Sequence, residues 1–152
     1  MRAATTLVHD LAVHAVVTVT ADTCLRDCAS VMREKHIGSL VLIDPDSKRP
    51  LGIVTDRDIV VEAVAVGLDP ATITAGDVAV KPLVTVGDHE DILDALARMR
   101  ENGVRRLAVT GSRGQLAGVL SLDDLLGATA QQLDSIASVV LAEKAKESAT
   151  RA

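Results

Sequence analysis

The feature that most constrains the fold of this chain is an internal repeat. Val17-Thr18-Val19 recurs as Val84-Thr85-Val86, and Met32 recurs as Met99, in each case 67 positions later. With 152 residues, the chain can form one compact domain or two small, closely packed repeats. We place the repeats at 6–72 and 73–143, followed by a polar tail over 144–152.

Each repeat shows the same order of predicted elements, β-α-β-β-α. Apolar residues recur at helical spacing in the helices, and β-branched residues bounded by turn residues mark the strands. In the first repeat the elements lie at 16–19, 22–35, 40–43, 51–54 and 56–66. In the second repeat they lie at 84–86, 89–101, 106–110 and 116–120, with a last helix from about 122.

The last helix is predicted to be longer than its counterpart in the first repeat. Its apolar stripe continues through Leu133, Ile136 and Val140. A stripe without a partner in its own repeat favours a contact between two copies of the chain. The tail beyond Glu143 is expected to be solvated helix that frays into disorder.

Composition excludes several classes of function. The chain is 48% hydrophobic and 24% charged, which is typical of a globular protein. A net charge of −5 argues against a general nucleic-acid or membrane-surface binder. Phe, Tyr and Trp are all absent, so no base can stack on an aromatic ring, which further disfavours a reader of RNA.

Location is inferred from the cysteines and from the apolar segments. Cys24 and Cys28 are the only cysteines, too few for a disulfide framework. Uninterrupted apolar runs are far shorter than the ~20 residues that span a bilayer. No basic segment followed by a long apolar one opens the chain. We therefore expect a cytoplasmic protein with no membrane and no nucleic-acid partner.

The stretch over 52–59 carries the clearest functional signal. It is predicted as the end of a buried strand that runs directly into a helix, which Thr55 or Asp56 can cap. Thr55, Arg57 and Asp58 then cluster at a helix N-terminus, where free N–H groups and the helix dipole favour an anion. A hydroxyl, a carboxylate and a guanidinium together can hold a ribose and its phosphate.

These motifs resemble those of a known family. Gly-Ile-Val-Thr-Asp-Arg-Asp closes the first repeat at 52–58, and Ile-Gly-Ser-Leu-Val occupies 37–41. Val-Arg-Arg-Leu-Ala-Val follows at 104–109, and an altered copy of the first motif returns at 118–125. Together with the repeat, they look like the CBS-domain pair, named for cystathionine β-synthase. The resemblance covers about residues 6–143 and is to the small bacterial proteins in which the pair stands alone.

The resemblance implies an α/β fold with two tandem β-α-β-β-α repeats related by a pseudo-two-fold axis. Two clefts between the repeats would each bind an adenosine-containing ligand, such as AMP, ADP, ATP or S-adenosylmethionine. It also implies a regulatory protein and not an enzyme, assembled as a homodimer. In the family, the Thr or Ser and the Asp of the motif hold the phosphate and the ribose hydroxyls.

Carried onto this sequence, the resemblance assigns residues to both clefts. Cleft one would use Thr55, Arg57, Asp58, Leu83, Val84, Thr85, and Arg105 or Arg106 at the phosphate. Cleft two would use Val16, Val17, Thr18, Ser39, Ser121 and Asp124. In cleft two, Asp123 replaces Arg57, and Gly38 and Ser39 replace the two arginines. We therefore predict that cleft one prefers a nucleotide with phosphate, whereas cleft two is weak, empty or takes a ligand with little negative charge.

Three hypotheses of function stay open from the sequence. The first is a regulatory sensor of an adenosine ligand that signals to an unidentified regulated protein. The second is a structural dimerisation module with empty clefts, in which Thr55 and Asp58 only cap a helix. The third is a metal or redox sensor through Cys24 and Cys28, which is disfavoured because Cys28 falls on the core face and the histidines lack metal-site spacing.

Neither a catalytic group nor a resident cofactor is predicted. The paired acids of the two motifs have no accompanying nucleophile and base. The sequence also contains no Gly-x-Ser-x-Gly motif and no phosphate loop that ends in Gly-Lys-Ser/Thr. No metal site is predicted, and the adenosine ligand is the only small molecule that is predicted.

Overall fold

Two three-stranded sheets, one from each repeat, form the framework of the protein. The computed structural model describes residues 6–79 and 83–150. The first repeat contains α1 (Val8–Leu11), β1 (Thr18–Val19), α2 (Leu25–Lys35), β2 (Ser39–Ile43), β3 (Pro50–Thr55) and α3 (Asp56–Ile59). The second contains α4 (Ala75–Val78), β4 (Thr85–Gly87), α5 (Ile92–Asn102), β5 (Arg106–Thr110), β6 (Leu116–Ser121) and α6 (Leu122–Thr150).

The two sheets have the same topology and the same register. In each, the middle strand pairs in parallel with the first strand and antiparallel with the third. Val41 of β2 lies opposite Thr18 and Ile53. Ala108 of β5 occupies the equivalent position, opposite Thr85 and Val119. The predicted α/β class with two tandem repeats is confirmed.

Both cores are aliphatic, as the lack of aromatic residues requires. Three consecutive residues of each middle strand, over 40–42 and 107–109, are almost fully buried. Because successive strand residues point to opposite faces, both faces of each sheet are covered.

The first segment of each repeat packs on the core of the other repeat. Val8 of α1 is fully buried in the second core, and Ala75 of α4 is fully buried in the first. Val13 also exchanges two backbone hydrogen bonds with Val119 of β6, at 2.9 and 3.0 Å. These two hydrogen bonds and the packing of the first segments hold the repeats together and position the clefts between them. The repeat boundaries at 6–72 and 73–143 stay a sequence prediction.

The second helix of the first repeat differs from its prediction as one helix over 56–66. The α-helix α3 gives way to a π-helical turn over Val60–Val64, in which the N–H of Ala65 donates to Val60 O at 2.8 Å. Gly67, at a φ of +73°, ends the segment. The turn leaves Val60, Val61, Val64 and Val66 exposed.

The C-terminal helix α6 is long, as predicted, and it leaves its apolar face uncovered. The fraying expected for the tail is not observed as far as Thr150; residues 151–152 lie outside the described part. Several apolar side chains of α6 are 46–69% exposed: Leu126, Leu133, Ile136, Val139, Val140 and Leu141.

By length and composition alone, Leu122–Ala149 would be able to cross a membrane, with a mean hydropathy of 1.2 over 18 residues. The sequence argument considered only uninterrupted apolar runs, and here small and polar residues separate the apolar ones. The absence of a membrane partner stays a prediction.

Candidate functional site

Cleft one lies between the two repeats and brings together most of the residues assigned to it. Its cavity of about 430 Å³ falls in the range of roughly 300–1,000 Å³ that is typical of small-molecule sites. The wall consists of Ile53, Thr55, Asp56, Arg57, Asp58, Leu83, Val84, Gly103, Val104, Arg105, Arg106 and Asp123. Of the predicted residues, Thr85 alone is missing from this wall.

Thr55 and Asp58 form a capping box at the start of α3. The backbone N–H and the hydroxyl of Thr55 donate to Asp58 Oδ2 at 2.7 and 2.8 Å. The N–H of Asp58 donates to Thr55 Oγ1 at 3.2 Å. The cap is thus formed by residues of the chain alone. Within the described part of the chain, no hydrogen bond is made to Asp58 Oδ1, so this oxygen stays available to a hydroxyl donor.

The three arginines of cleft one differ in their partners. Arg105 Nη2 lies 3.0 Å from Asp123 Oδ1. Arg57 and Arg106 form no ion pair with any residue of 6–79 or 83–150. Arg57 is exposed and Arg106 is half-buried. Two guanidiniums without a carboxylate partner at one cleft wall favour the binding of an anion.

Asp123 lines cleft one and not cleft two, which corrects the prediction that it adds an acid to cleft two. The N–H of Leu122 donates to Arg105 O at 2.9 Å, which starts α6 beside Arg105. In the first repeat the equivalent bond joins Asp56 to Gly38 at 3.1 Å. Glycine offers no side chain there, so Arg57 lacks the kind of partner that Asp123 has.

Cleft two is smaller, with a cavity of about 160 Å³. Its wall consists of Val13, Ala15, Val16, Val17, Ile37, Ser39, Val41, Arg106, Val119, Ser121 and Asp124. The predicted Val16, Val17, Ser39, Ser121 and Asp124 therefore come together, and Thr18 does not. Ser121 and Asp124 repeat the capping box, since the N–H of Ser121 donates to Asp124 Oδ2 and the N–H of Asp124 to Ser121 Oγ, both at 3.2 Å.

Arg106 borders both clefts. It lies opposite Ser121 in the pairing of β5 with β6, and it appears in both cleft walls. The prediction that cleft two has lost its arginines was therefore wrong in one respect. Replacement of Arg106 by Ser39 in the repeat removes a local arginine, but Arg106 itself is long enough to reach the second cleft.

Thr18 and Thr85 were assigned to the clefts but do not line them. Each is the first paired residue of its strand, β1 or β4, where successive side chains alternate between faces. Thr18 is exposed, and Thr85 borders a separate surface groove beside Arg49. Their predecessors in the chain, Val17 and Val84, line the clefts instead.

Sequence reasoning missed several residues of cleft one. Ile53 could have been found from strand periodicity, because it shares a face with Thr55. Asp56 and Val104 are direct neighbours of residues that were assigned. Asp123 was expected in cleft two, and its place in cleft one depends on packing between β5 and α6.

Cys28 is buried in the first core, and Cys24 is half-buried at the start of α2. Burial raises the pKa of the Cys28 thiol, and the nearby Cys24 and Asp27 raise it further. A thiol that stays protonated is a poor nucleophile and a poor metal ligand. Among the described residues there is no group of three His, Cys, Asp or Glu side chains placed to hold a metal ion.

The family model for the CBS domain matches this chain twice, at residues 8–64 and 75–131. The chain therefore belongs to the CBS domain family and carries a pair of these domains. Hypoxic response protein 1 of Mycobacterium tuberculosis (strain ATCC 25618 / H37Rv) is 40% identical over 101 residues, which are 66% of this chain and 69% of that protein. The chain spans 50 to 69% of the length of the first curated relatives that it matches.

Two solved structures show the same architecture. Hypoxic Response Protein I, crystallised with two coordinated zinc ions, has a TM-score of 0.70 and 36% identity, over 80% of this chain and 97% of that one. A CBS domain protein from Pyrobaculum aerophilum complexed with AMP has a TM-score of 0.72 and 31% identity, over 79% of this chain and 90% of that one.

Proposed function

We propose that this protein is a regulatory module that binds an adenosine nucleotide in cleft one. One observation carries the proposal: Arg57 and Arg106, which have no ion pair among the described residues, line a cavity of about 430 Å³ together with apolar side chains. The CBS domain relative that is complexed with AMP supports the choice of ligand.

The walls of the cleft divide naturally between the parts of a nucleotide. The phosphate pairs with Arg57 and Arg106, whose guanidiniums can each donate two parallel hydrogen bonds. A ribose hydroxyl donates to Asp58 Oδ1. The adenine lies among aliphatic side chains, of which Leu83 and Val84 come from the second repeat and Ile53 from the first. Without an aromatic ring to stack on, much of the affinity comes from the phosphate.

The proposed role is regulation and not catalysis. Thr55 supplies the hydroxyl of cleft one, and that hydroxyl is held in the capping box. A ligand that contacts Arg57 in the first repeat and Arg106 in the second joins the two repeats. It can shift an equilibrium between two arrangements of the repeats only by its differential affinity for them. An unidentified regulated protein would receive this change.

We also propose that the protein is a cytoplasmic homodimer. The uncovered face of α6 presents Leu133, Ile136 and Val140 at alternating spacings of three and four residues, which is the pattern of a helix that packs on another helix. Ile136→Glu should convert the dimer to a monomer in sedimentation velocity, because it buries a charge in the interface. Ser135→Glu, one residue away on the helix, is the control.

The proposed ligand can be tested on the purified protein. With no Trp or Tyr, the chain absorbs little in the near ultraviolet, so the adenine band of a carried nucleotide would stand out. AMP should raise the melting temperature, since it binds only the folded state. If adenosine, AMP, ADP, ATP and S-adenosylmethionine all leave the melting temperature unchanged, the proposal fails. The protein is then better explained as a structural dimerisation module with empty clefts.

A further inference from the structure

We infer that Asp123 determines how many phosphates cleft one accepts, so that the cleft favours a nucleoside monophosphate over the di- and triphosphate. The inference rests on the proposed function, because it concerns the same cleft. Asp123 lies in the first turn of α6, lines cleft one, and holds Arg105 through the 3.0 Å contact between Oδ1 and Nη2.

The formal charges of the cleft wall balance. Three arginines (Arg57, Arg105 and Arg106) are matched by three aspartates (Asp56, Asp58 and Asp123). A site with no net positive charge gains little from each negative charge beyond those that its free guanidiniums can pair. Two guanidiniums are free, which is enough for one phosphate group and not for a triphosphate.

The three aspartates do not have the same task. Asp58 belongs to the capping box, and Asp56 Oδ1 accepts the N–H of Arg57 at 2.8 Å. Both carboxylates are therefore tied to the backbone at the start of α3. The Asp123 carboxylate bonds to the Arg105 side chain instead, and both groups are more than 60% exposed. An exposed pair of this kind contributes little to stability, so Asp123 can be changed without unfolding the chain.

Asp123 acts against additional phosphates in two ways. It occupies Arg105, the one guanidinium that would otherwise be free for a second phosphate. It also places a negative charge on the wall where further phosphates would lie, and like charges repel at short range. Each added phosphate must therefore displace Asp123 from Arg105 or lie beside an uncompensated carboxylate.

The opposite effect has a different physical cause: Asp123 would orient Arg105 so that it meets a phosphate. In that case removal of the carboxylate would weaken the binding of every phosphorylated ligand. The two effects differ in sign, so one variant separates them.

The test is calorimetric titration with adenosine, AMP, ADP and ATP in the absence of divalent cations, on the wild type and on Asp123→Asn. We expect adenosine affinity to be unchanged, AMP affinity to rise about twofold and ATP affinity to rise about tenfold. The gain should shrink as ionic strength increases, because salt screens exposed charges. Asp123→Glu, which keeps the charge, should retain the ATP-to-AMP ratio of the wild type.

Two further variants complete the design. Glu34→Gln removes one negative charge from an exposed position of α2 that lines neither cleft, and it should leave all four affinities unchanged. Arg105→Gln should weaken ATP more than AMP, since Asp123 then faces the phosphates without its partner.

The outcomes separate this inference from the proposed function. If the nucleotides bind and Asp123→Asn leaves the ATP-to-AMP ratio unchanged or lowers it, the inference is overturned and the proposed function stands. If none of the four ligands binds to the wild type or to any variant, the proposed function is overturned, and the inference with it.

Discussion

The two clefts share a framework and differ in charge and size. Each has a hydroxyl–carboxylate capping box at the end of an antiparallel strand, Thr55 with Asp58 in one and Ser121 with Asp124 in the other. Cleft one holds about 430 Å³ and three arginines, whereas cleft two holds about 160 Å³ and shares only Arg106. The repeat has therefore preserved the backbone geometry, and the side chains at a few other positions give the clefts their different chemistry.

Arg106 offers the most sensitive test of the difference between the two clefts, because it borders both of them. Arg106→Ala should weaken AMP by roughly ten- to hundredfold, since a hydrogen bond to a charged group contributes about 1.5–3 kcal/mol. Calorimetry measures the change. Ser39→Ala alters the repeat counterpart of Arg106 and should leave AMP affinity as it is. An equal loss in the two variants would show that AMP occupies cleft two as much as cleft one.

Arg57 distinguishes the clefts by phosphate recognition. Arg57→Gln should weaken AMP by about fivefold and leave adenosine unchanged, because an exposed guanidinium is partly screened by water. Competition between AMP and adenosine measures both affinities in one experiment. Arg33→Gln, on an exposed part of α2 away from both clefts, is the matched control. A similar loss for adenosine would mean that Arg57 supports the fold of the cleft and does not pair with phosphate.

The two capping boxes should contribute equally to the stability of the fold and unequally to the binding of AMP. Asp58→Ala and Asp124→Ala each remove a cap, which should lower the free energy of unfolding by about 1 kcal/mol. Urea denaturation measures this cost. Only Asp58→Ala should also weaken AMP, through the loss of Oδ1. If AMP binding is indifferent to Asp58→Ala, the Thr55–Asp58 pair is a cap and nothing more.

The smallest expected difference concerns pH and cleft two. His14 lies between Val13 and Ala15 of its wall, with Nδ1 and Nε2 each 3.0 Å from a carbonyl oxygen, of Ala117 and His9 respectively. Only a protonated imidazole donates from both nitrogens. These hydrogen bonds raise the pKa of His14; partial desolvation opposes them, and the nearby Asp88 adds to them.

Because the folded-state pKa is raised, the stabilisation by protonated His14 is complete below its unfolded pKa of about 6.5 and is lost as pH rises through the folded value. The melting temperature of the wild type should exceed that of His14→Gln at acidic pH, and the difference should narrow on the alkaline side. A difference in melting temperature between the two proteins that stays constant with pH would contradict this role of His14. The affinity of cleft one for AMP should not change with pH in the same way as this difference.

Much of this architecture follows from the sequence, because each predicted element occurs in both repeats and each occurrence supports the other. The order of strands and helices along the chain, including α2 and α5, was predicted from apolar spacing and its recurrence. The π-helical turn after α3 and the exchange of first segments between repeats were not, because both depend on packing and neither leaves a periodic signal. The extent of α6 was underestimated because a solvated helix and a disordered tail have similar composition.

The candidate site was predicted to the level of local motifs and no further. Motif residues such as Thr55 and Arg57 came together because strand and helix geometry fixes them within one element. Thr85 lies outside the wall of cleft one because one step along a strand reverses the direction of a side chain. The placement of Asp123 and the reach of Arg106 depend on how β5, β6 and α6 meet, which a linear comparison of the two repeats does not show.

The most direct test of the central claim is the stoichiometry of AMP binding, measured by calorimetry on protein freed of carried nucleotide. The account predicts one AMP per chain, with affinity that falls in Arg57→Gln and persists in Asp124→Ala. Two equivalent sites per chain would contradict it, because the clefts differ in volume and charge. A single site that is lost in Asp124→Ala and untouched by Arg57→Gln would place the nucleotide in cleft two and contradict it as well.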